Sequence, residues 1–203
     1  MVISSTAEYN TIVTMLGALC ATVQIMTGFF AFYYKKKKFM LKSNEILFRS
    51  HRAFGSFATV FYFLGLFAGL TGFIGAITVN SPPFEFWDLS FIVHTWPSFA
   101  VIVVLVAKTY LSYFKKQTLY KRAGWLGVAT FIAWAFTWIT AGISYYLRTI
   151  PTNPQHPPPS FLLPFPIFPL QIALPFIIGA IIGTLILWRA NINEIEKLAK
   201  KSE

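Results

Sequence analysis

The sequence predicts an all-α fold: a polytopic transmembrane bundle of five helices, with the N-terminus outside and the C-terminus inside the cell. The first observation is a set of five long apolar runs, each able to span the ~30 Å hydrocarbon core of a bilayer as a helix. The second is that these runs are continuously apolar and lack the alternation of barrel strands. We predict the spans at 9–34, 54–79, 89–114, 124–147 and 168–188.

The third observation is the distribution of basic residues, which are dense in alternate connections between the spans. They lie between spans one and two, between spans three and four, and after span five. These residues are Lys35, Lys36, Lys37, Lys38, Lys42, Arg49, Arg52, Lys115, Lys116, Lys121, Arg122, Arg189, Lys197, Lys200 and Lys201. The other side holds Arg148 with the acidic Glu8, Glu85 and Asp88. Because cytoplasmic loops are enriched in Lys and Arg, the basic side is predicted to be the cytoplasm.

The segments that flank the spans follow from their local composition. The stretch NEILFRSHR before span two is amphipathic, which predicts that this helix begins before the membrane. Pro82 and Pro83 end span two in a short outer loop. A proline-rich outer loop occupies 149–167, where the prolines favour extended structure. The cytoplasmic tail, 189–203, is predicted to continue the fifth helix as an amphipathic segment.

The chain is predicted to form a single transmembrane domain, 1–203, as a multi-pass protein of the cell membrane. Five helices and short loops use nearly all of its 203 residues, which leaves no room for a separate soluble domain. The formal net charge of +10 comes from topology signals that also suit anionic head groups, so the expected partner is the lipid bilayer and not nucleic acid. Cys20 is the one cysteine, which excludes an internal disulfide.

Ionisable residues inside a membrane are costly and are therefore candidates for function. No Asp or Glu falls within a predicted span, which argues against an ion-coupled transporter. The histidines are the main signal. His51 stands at the cytoplasmic start of span two, His94 lies about one and a half turns inside the outer end of span three, and His156 lies in the outer loop. A neutral imidazole is an axial ligand of haem iron; the alternative is a histidine hydrogen-bonded to a neighbouring helix.

Helix geometry separates the two histidines of the spans. At 1.5 Å per residue, His51 lies about 22 Å from mid-span toward the cytoplasm and His94 about 10 Å toward the outside. A separation of roughly 30 Å along the membrane normal means that they do not ligate the same iron. The candidate partners of His94 are Met15 on span one and His156, although a buried Met is more often a packing residue. His51 would need a ligand from a partner subunit, or it is only interfacial.

Glycines form a second pattern. Gly55, Gly65, Gly69 and Gly72 follow His51 near one stripe of span two, which suits close approach by another helix or by a flat macrocycle. The pair Gly179 and Gly183 on span five predicts packing, either within the bundle or against another subunit. Lys108 in span three is expected to extend toward the cytoplasmic head groups.

Three segments carry a resemblance to known families: SHRAFGS opening span two, FIVHTWPSFAVIVV in span three, and YKRAGWLGVATFIAWAFTWITAGISYYL in span four. Together they resemble small multi-helix membrane proteins related to haem-copper oxidase assembly and, more loosely, the four-helix b-type membrane cytochromes. The resemblance covers about 10–148 and implies a haem b held by histidines. Those families tend to place a histidine at the start of helix four, where this chain has Tyr120 and Lys121. The composition also looks like that of a thermophilic archaeal membrane protein.

Two functional hypotheses follow from these observations. The first is a membrane subunit of a respiratory electron-transfer complex, with one haem b held through His94, that links a quinone pool to a partner on the outer face. The second is a non-catalytic accessory subunit or assembly factor of a larger membrane complex, without a cofactor. A lipid or small-solute carrier is a further alternative. A hydrolase is not expected, because no nucleophile, base and orienting acid occur together.

Overall fold

The computed structural model describes residues 6–33, 46–78, 89–149 and 167–202. These ranges form the helices α1 (Thr6–Tyr33), α2 (Ile46–Thr78), α3 (Leu89–Phe114), α4 (Lys116–Thr149) and α5 (Phe168–Ser202), with no strand among them. All five helices are long and apolar enough to cross a membrane. The prediction of an all-helical protein with five candidate spans is confirmed. The orientation of the termini stays a prediction.

Two helices begin well before the apolar runs that they contain. Helices α2 and α4 start at Ile46 and Lys116, each eight residues before the predicted spans at 54 and 124. Hydropathy detects only the part of a helix that is apolar, whereas backbone hydrogen bonding continues into amphipathic and basic flanks. The helical start of α2 was predicted from NEILFRSHR, while the early start of α4 was not. Lys115 alone separates α3 from α4.

Helix α1 is the centre of the bundle. It packs against α2, α4 and α5, whereas α3 packs mainly on α4. The buried share of its span is 56%, against 11% for α3. Its buried positions are mostly small or hydroxylated: Thr11, Thr14, Gly17, Ala18, Ala21, Thr22, Thr27 and Ala31. Small residues let neighbouring backbones approach closely, which is how helices associate where no hydrophobic effect drives them together.

Side-chain contacts show that neighbouring helices along the chain run antiparallel. His51 near the start of α2 lies against Gly28 near the end of α1, and Gly65 further along α2 lies against Asn10 near the start of α1. The same reversal joins α4 to α5, because Phe131 packs on Phe176 while Trp138 contacts Ile172. The chain therefore passes up and down through the bundle.

The centre of the bundle is aromatic. The six-membered ring of Trp134 on α4 lies on Gly17 of α1, where no side chain intervenes. The Tyr62 ring of α2 meets Trp134 edge to face, with ring centroids 5.9 Å apart, and the Tyr62 hydroxyl donates to the Ser98 carbonyl of α3 at 2.8 Å. Tyr62 thus connects three helices. The core cluster consists of Cys20, Ala21, Ala58, Tyr62, Val101, Leu105 and Trp134.

The charged residues that the structure describes distinguish the two ends of the bundle. Arg49 and Arg52 lie at the start of α2, Lys115 follows α3, and Lys121 lies near the start of α4. We call this the basic end, and the opposite end, where α1 begins, the Glu8 end. The large apolar side chains between the ends are exposed, as lipid-facing side chains are: Phe57, Val60, Phe63, Phe67, Phe99, Val103, Val106, Ile132, Ile177, Ile181 and Leu185.

Glu8 corrects one expectation from the sequence. The apolar stretch of α1 runs from Glu8 to Ala31, and the Glu8 side chain is fully buried within the bundle. The expectation that no acidic residue falls within a span is therefore wrong at this position. It failed because Glu8 lies one residue outside the predicted span, 9–34, while the helix and its packing continue past that boundary. Because a carboxylate does lie inside the bundle, an ion-coupled transporter is no longer disfavoured on that ground.

Candidate functional site

The His51 side chain is held at the basic end, between α1 and α2. Its Nδ1 atom lies 3.0 Å from the Thr27 hydroxyl oxygen of α1. The ring packs on Gly28, and a Cβ atom at that position would lie 3.1 Å from His51 Cε1. These contacts explain why Thr and Gly occupy positions 27 and 28 of a buried helix face.

The Thr27 hydroxyl favours one tautomer of the His51 ring. This oxygen lies 2.9 Å from the Val23 carbonyl and 3.1 Å from the Gln24 carbonyl of its own helix. A hydroxyl has a single hydrogen, and giving it to either carbonyl leaves the oxygen to accept from His51 Nδ1–H. In that tautomer the neutral ring has its lone pair on Nε2, the nitrogen with which it binds a metal.

Lys108 of α3 belongs to the same region. It is half-buried and interacts electrostatically with the His51 ring. From the sequence, Lys108 is expected only to extend toward the head groups. The signal that this expectation missed is register: α2 and α3 are antiparallel, so a residue near the start of one lies beside a residue near the end of the other.

His94 has a different environment near the Glu8 end. It is half-buried, and its Nδ1 atom lies 3.5 Å from the Thr140 hydroxyl oxygen of α4. The Thr140 hydroxyl donates to the Phe136 carbonyl at 2.8 Å, and the Ser98 hydroxyl donates to the His94 carbonyl at 2.8 Å. A histidine hydrogen-bonded to a neighbouring helix was the alternative to a haem ligand, and this geometry contains that contact.

The bundle does not bring the two histidines together. Lys108 interacts electrostatically with His51 and follows His94 by fourteen residues, which is about 21 Å along α3. This placement agrees with the expectation that one iron cannot bind both. Met15 is half-buried on α1, two residues before the Gly17 that Trp134 covers. His156 lies outside the described residues.

The glycine stripe of α2 is used for helix packing where its surroundings are described. The Gln24 side chain of α1 covers Gly55, and Asn10 Oδ1 would lie 2.9 Å from a Cβ on Gly65. Gly69 has nothing within 4 Å of its Cβ position, and the surroundings of Gly72 are not described. At Gly55 and Gly65 the stripe therefore accepts α1 and not a macrocycle.

The glycines of α5 also pack within the chain. A Cβ atom on Gly179 would lie 2.8 Å from the Leu19 carbonyl oxygen, and one on Gly183 would lie 2.8 Å from Met26 Sδ. Of the two predicted roles, packing within the bundle is the one that these contacts support. No group of three or more His, Cys, Asp or Glu side chains able to hold a metal ion occurs in the described part of the chain.

Comparison with protein-family models, with curated proteins and with solved structures finds no match to this chain. The resemblance to oxidase-assembly proteins and b-type cytochromes therefore stays an expectation. Function has to be argued from the chemistry of the bundle itself.

Proposed function

We propose that this chain is an integral membrane subunit of an electron-transfer complex and that His51 is an axial ligand of a b-type haem. The observation that carries the proposal is the Thr27 contact at 3.0 Å, which orients the ring and favours the tautomer with its lone pair on Nε2. Hydrogen bonding of one ring nitrogen, so that the other ligates, is the usual arrangement of a metal-binding histidine. The contact of His94 with Thr140 is longer, at 3.5 Å, so we assign His51 before His94.

In this proposal, described residues at the basic end would supply one axial position of the haem. Thr27 orients His51, and the Lys108 ammonium adds positive charge nearby. This charge favours the reduced form of a bound haem, since reduction removes one positive charge from the iron. The haem supplies one-electron transfer when it is bound. The second ligand would come from a partner chain of the larger complex, and a quinone of the lipid phase is the proposed electron partner.

The test is a dithionite-reduced minus air-oxidised visible spectrum of the protein purified in mild detergent with its natural partners, together with a pyridine haemochrome assay. We expect near-stoichiometric haem b with a sharp reduced α-band. His51→Ala is expected to abolish this band and His94→Ala to retain it. Gly69→Ala, at a position with no neighbour within 4 Å, is the matched control for handling and folding.

Two results contradict this assignment. A folded complex without haem removes the electron-transfer proposal. A band lost in His94→Ala and kept in His51→Ala moves the ligand to the Glu8 end, as the sequence analysis first expected. Thr27→Val adds a graded readout, because a wrongly oriented imidazole broadens or shifts the band without removing the ligand.

A second function has its own supporting observation. Gly55 lies under Gln24, and Gly65 lies under Asn10, so of the two partners that the glycine stripe suits, another helix or a macrocycle, α1 is the one present at these positions. This favours a non-catalytic accessory subunit or assembly factor that holds no cofactor. Its test is co-purification: a colourless chain that migrates with a larger membrane protein on a native gel, with or without His51→Ala, supports this role against the first.

A further inference from the structure

Two buried polar atoms at the centre of the bundle have no hydrogen-bond partner among the described residues. They are Nε1 of Trp134 and Oγ1 of Thr137, both on α4. The two side chains are 2% and 4% exposed. A buried donor left without a partner costs on the order of 1–3 kcal/mol. Native proteins rarely tolerate this cost, and ordered water is the commonest remedy.

Neighbouring side chains of the same types on α4 show that the pair is unusual. Thr130 and Thr140 donate to the carbonyls of Leu126 and Phe136 one turn earlier, at 2.6 and 2.8 Å. Trp138 donates from Nε1 to the Ile172 carbonyl at 2.8 Å. On this helix a buried hydroxyl can therefore donate to a carbonyl one turn earlier, and a buried indole can donate to a carbonyl of a neighbouring helix. Thr137 and Trp134 make neither of these hydrogen bonds.

The two groups lie on one face of α4. Residues three apart on a helix are neighbours, with Cβ atoms about 5–6 Å apart. The six-membered ring of Trp134 rests on Gly17, which places the five-membered ring, with Nε1, further from α1. The other members of the core cluster that contains Trp134 are apolar, except for the Tyr62 hydroxyl, which already donates to the Ser98 carbonyl.

We propose that one water molecule is held between Trp134 and Thr137 in the middle of the bundle. Indole N–H is a donor only, so the bound group has to accept from it, whereas a hydroxyl can either donate or accept. Water satisfies both with the smallest volume and is neutral, which suits a site surrounded by apolar side chains. This inference is independent of the haem proposal, because neither histidine takes part in it.

The test is solution NMR of the protein in detergent micelles with 15N-labelled tryptophan. The chain has six tryptophans, and Trp134→Phe identifies the indole signal at issue. If that variant does not fold, through-space contacts from the Tyr62 ring, 5.9 Å from Trp134, identify the same signal. We expect the Trp134 indole proton in the hydrogen-bonded range, with a cross-peak at the water frequency.

Substitutions at Thr137 separate a bridging water from an unrelated contact. Thr137→Val keeps the shape and is expected to move the Trp134 indole signal upfield and remove the water cross-peak. Thr137→Ser restores the hydroxyl and is expected to keep both. Thr130→Val is the matched control, because that hydroxyl already donates within α4, and it is expected to leave the signal unchanged.

Three results overturn the proposal. One is a wild-type Trp134 indole signal in the non-hydrogen-bonded range. Another is a hydrogen-bonded signal without a water cross-peak, which assigns the acceptor to another molecule, such as a carbonyl compound retained from the membrane. The last is a water cross-peak that persists in Thr137→Val, which means that Thr137 does not take part.

Discussion

The Nδ1 atom of His51 lies 3.0 Å from the Thr27 hydroxyl, across the contact between α2 and α1. This contact joins one of the histidines that the sequence marks as candidate ligands to α1, the helix at the centre of the bundle. It orients the imidazole, and it also ties the start of α2 to the end of α1. The two roles can be separated by substitution at position 27.

Thr27→Val removes the hydroxyl that accepts from His51 while it keeps the shape of the side chain. Hydrogen bonds between membrane helices contribute about 0.6 kcal/mol on average and at most about 1.7 kcal/mol. We expect a loss of stability in that range, measured by unfolding of the detergent-solubilised protein in increasing SDS. Thr27→Ser keeps the hydroxyl and serves as the control. Equal stability of the Val and Ser variants would mean that this hydrogen bond contributes nothing.

Substitution by Ala is expected to have opposite effects on stability at Gly17 and at Gly69. The Trp134 ring occupies the space that a Cβ on Gly17 would need, whereas nothing lies within 4 Å of a Cβ on Gly69. Gly17→Ala is expected to destabilise the bundle by about 1–3 kcal/mol, as overpacking of a core does. Gly69→Ala is expected to leave stability unchanged or raise it by up to about 1 kcal/mol, since Ala is the better helix former. Thermal unfolding of both variants in the same detergent tests the pair.

Ala substitutions at Gly179 and Gly183 test how far the loss of stability depends on the atom that the added Cβ would meet. A Cβ on Gly179 would lie 2.8 Å from a backbone oxygen, that of Leu19, which cannot move unless α1 moves. A Cβ on Gly183 would meet the flexible end of Met26 at the same distance. We expect Gly179→Ala to cost about 1–3 kcal/mol and Gly183→Ala clearly less.

The comparison of these two variants is made by their unfolding midpoints in SDS. A larger loss for Gly183→Ala would show that Met26 is locked in place and that the packing of α1 on α5 is tightest toward the basic end. Loss of co-purifying proteins, with the unfolding midpoint unchanged, would instead place these glycines at an interface with another subunit.

The predicted orientation can be tested by cysteine labelling. Cys20 is buried, and Cys20→Ser provides a background without thiols. In that background, Lys121→Cys at the basic end should react with a membrane-impermeant maleimide only after the cells are permeabilised, as the positive-inside rule requires. Ile167→Cys, at an exposed position at the start of α5, should react in intact cells. The reverse labelling pattern would show that the chain has the opposite orientation in the membrane.

Hydropathy was sufficient for the number of helices but not for their ends. A span is recognised by its apolar residues, so the turns at 46–53 and 116–123 fall outside the predicted spans, although α2 and α4 include them. The amphipathic pattern of NEILFRSHR predicted the early start of α2, whereas no pattern predicted that of α4. Glu8 was placed outside the first span because its side chain is not apolar. Its burial depends on the helices that surround α1, and hydropathy along one helix contains no information about them.

The sequence by itself determined that this is a helical protein with five candidate membrane spans, and that its basic residues gather at one end. Both follow from local chemistry: the length of apolar runs against bilayer thickness, and the position of each charge along the chain. It also identified His51, His94 and the glycines as residues to examine. Only the tertiary structure decided what those residues touch.

Contacts between helices depend on the rotation and register of each helix, which side-chain packing sets and single-helix patterns do not encode. Packing placed Thr27 beside His51, filled the glycine stripe at Gly55 with Gln24, and brought Lys108 from α3 to the same end. The same packing left Trp134 Nε1 and Thr137 Oγ1 without a partner at the centre of the bundle.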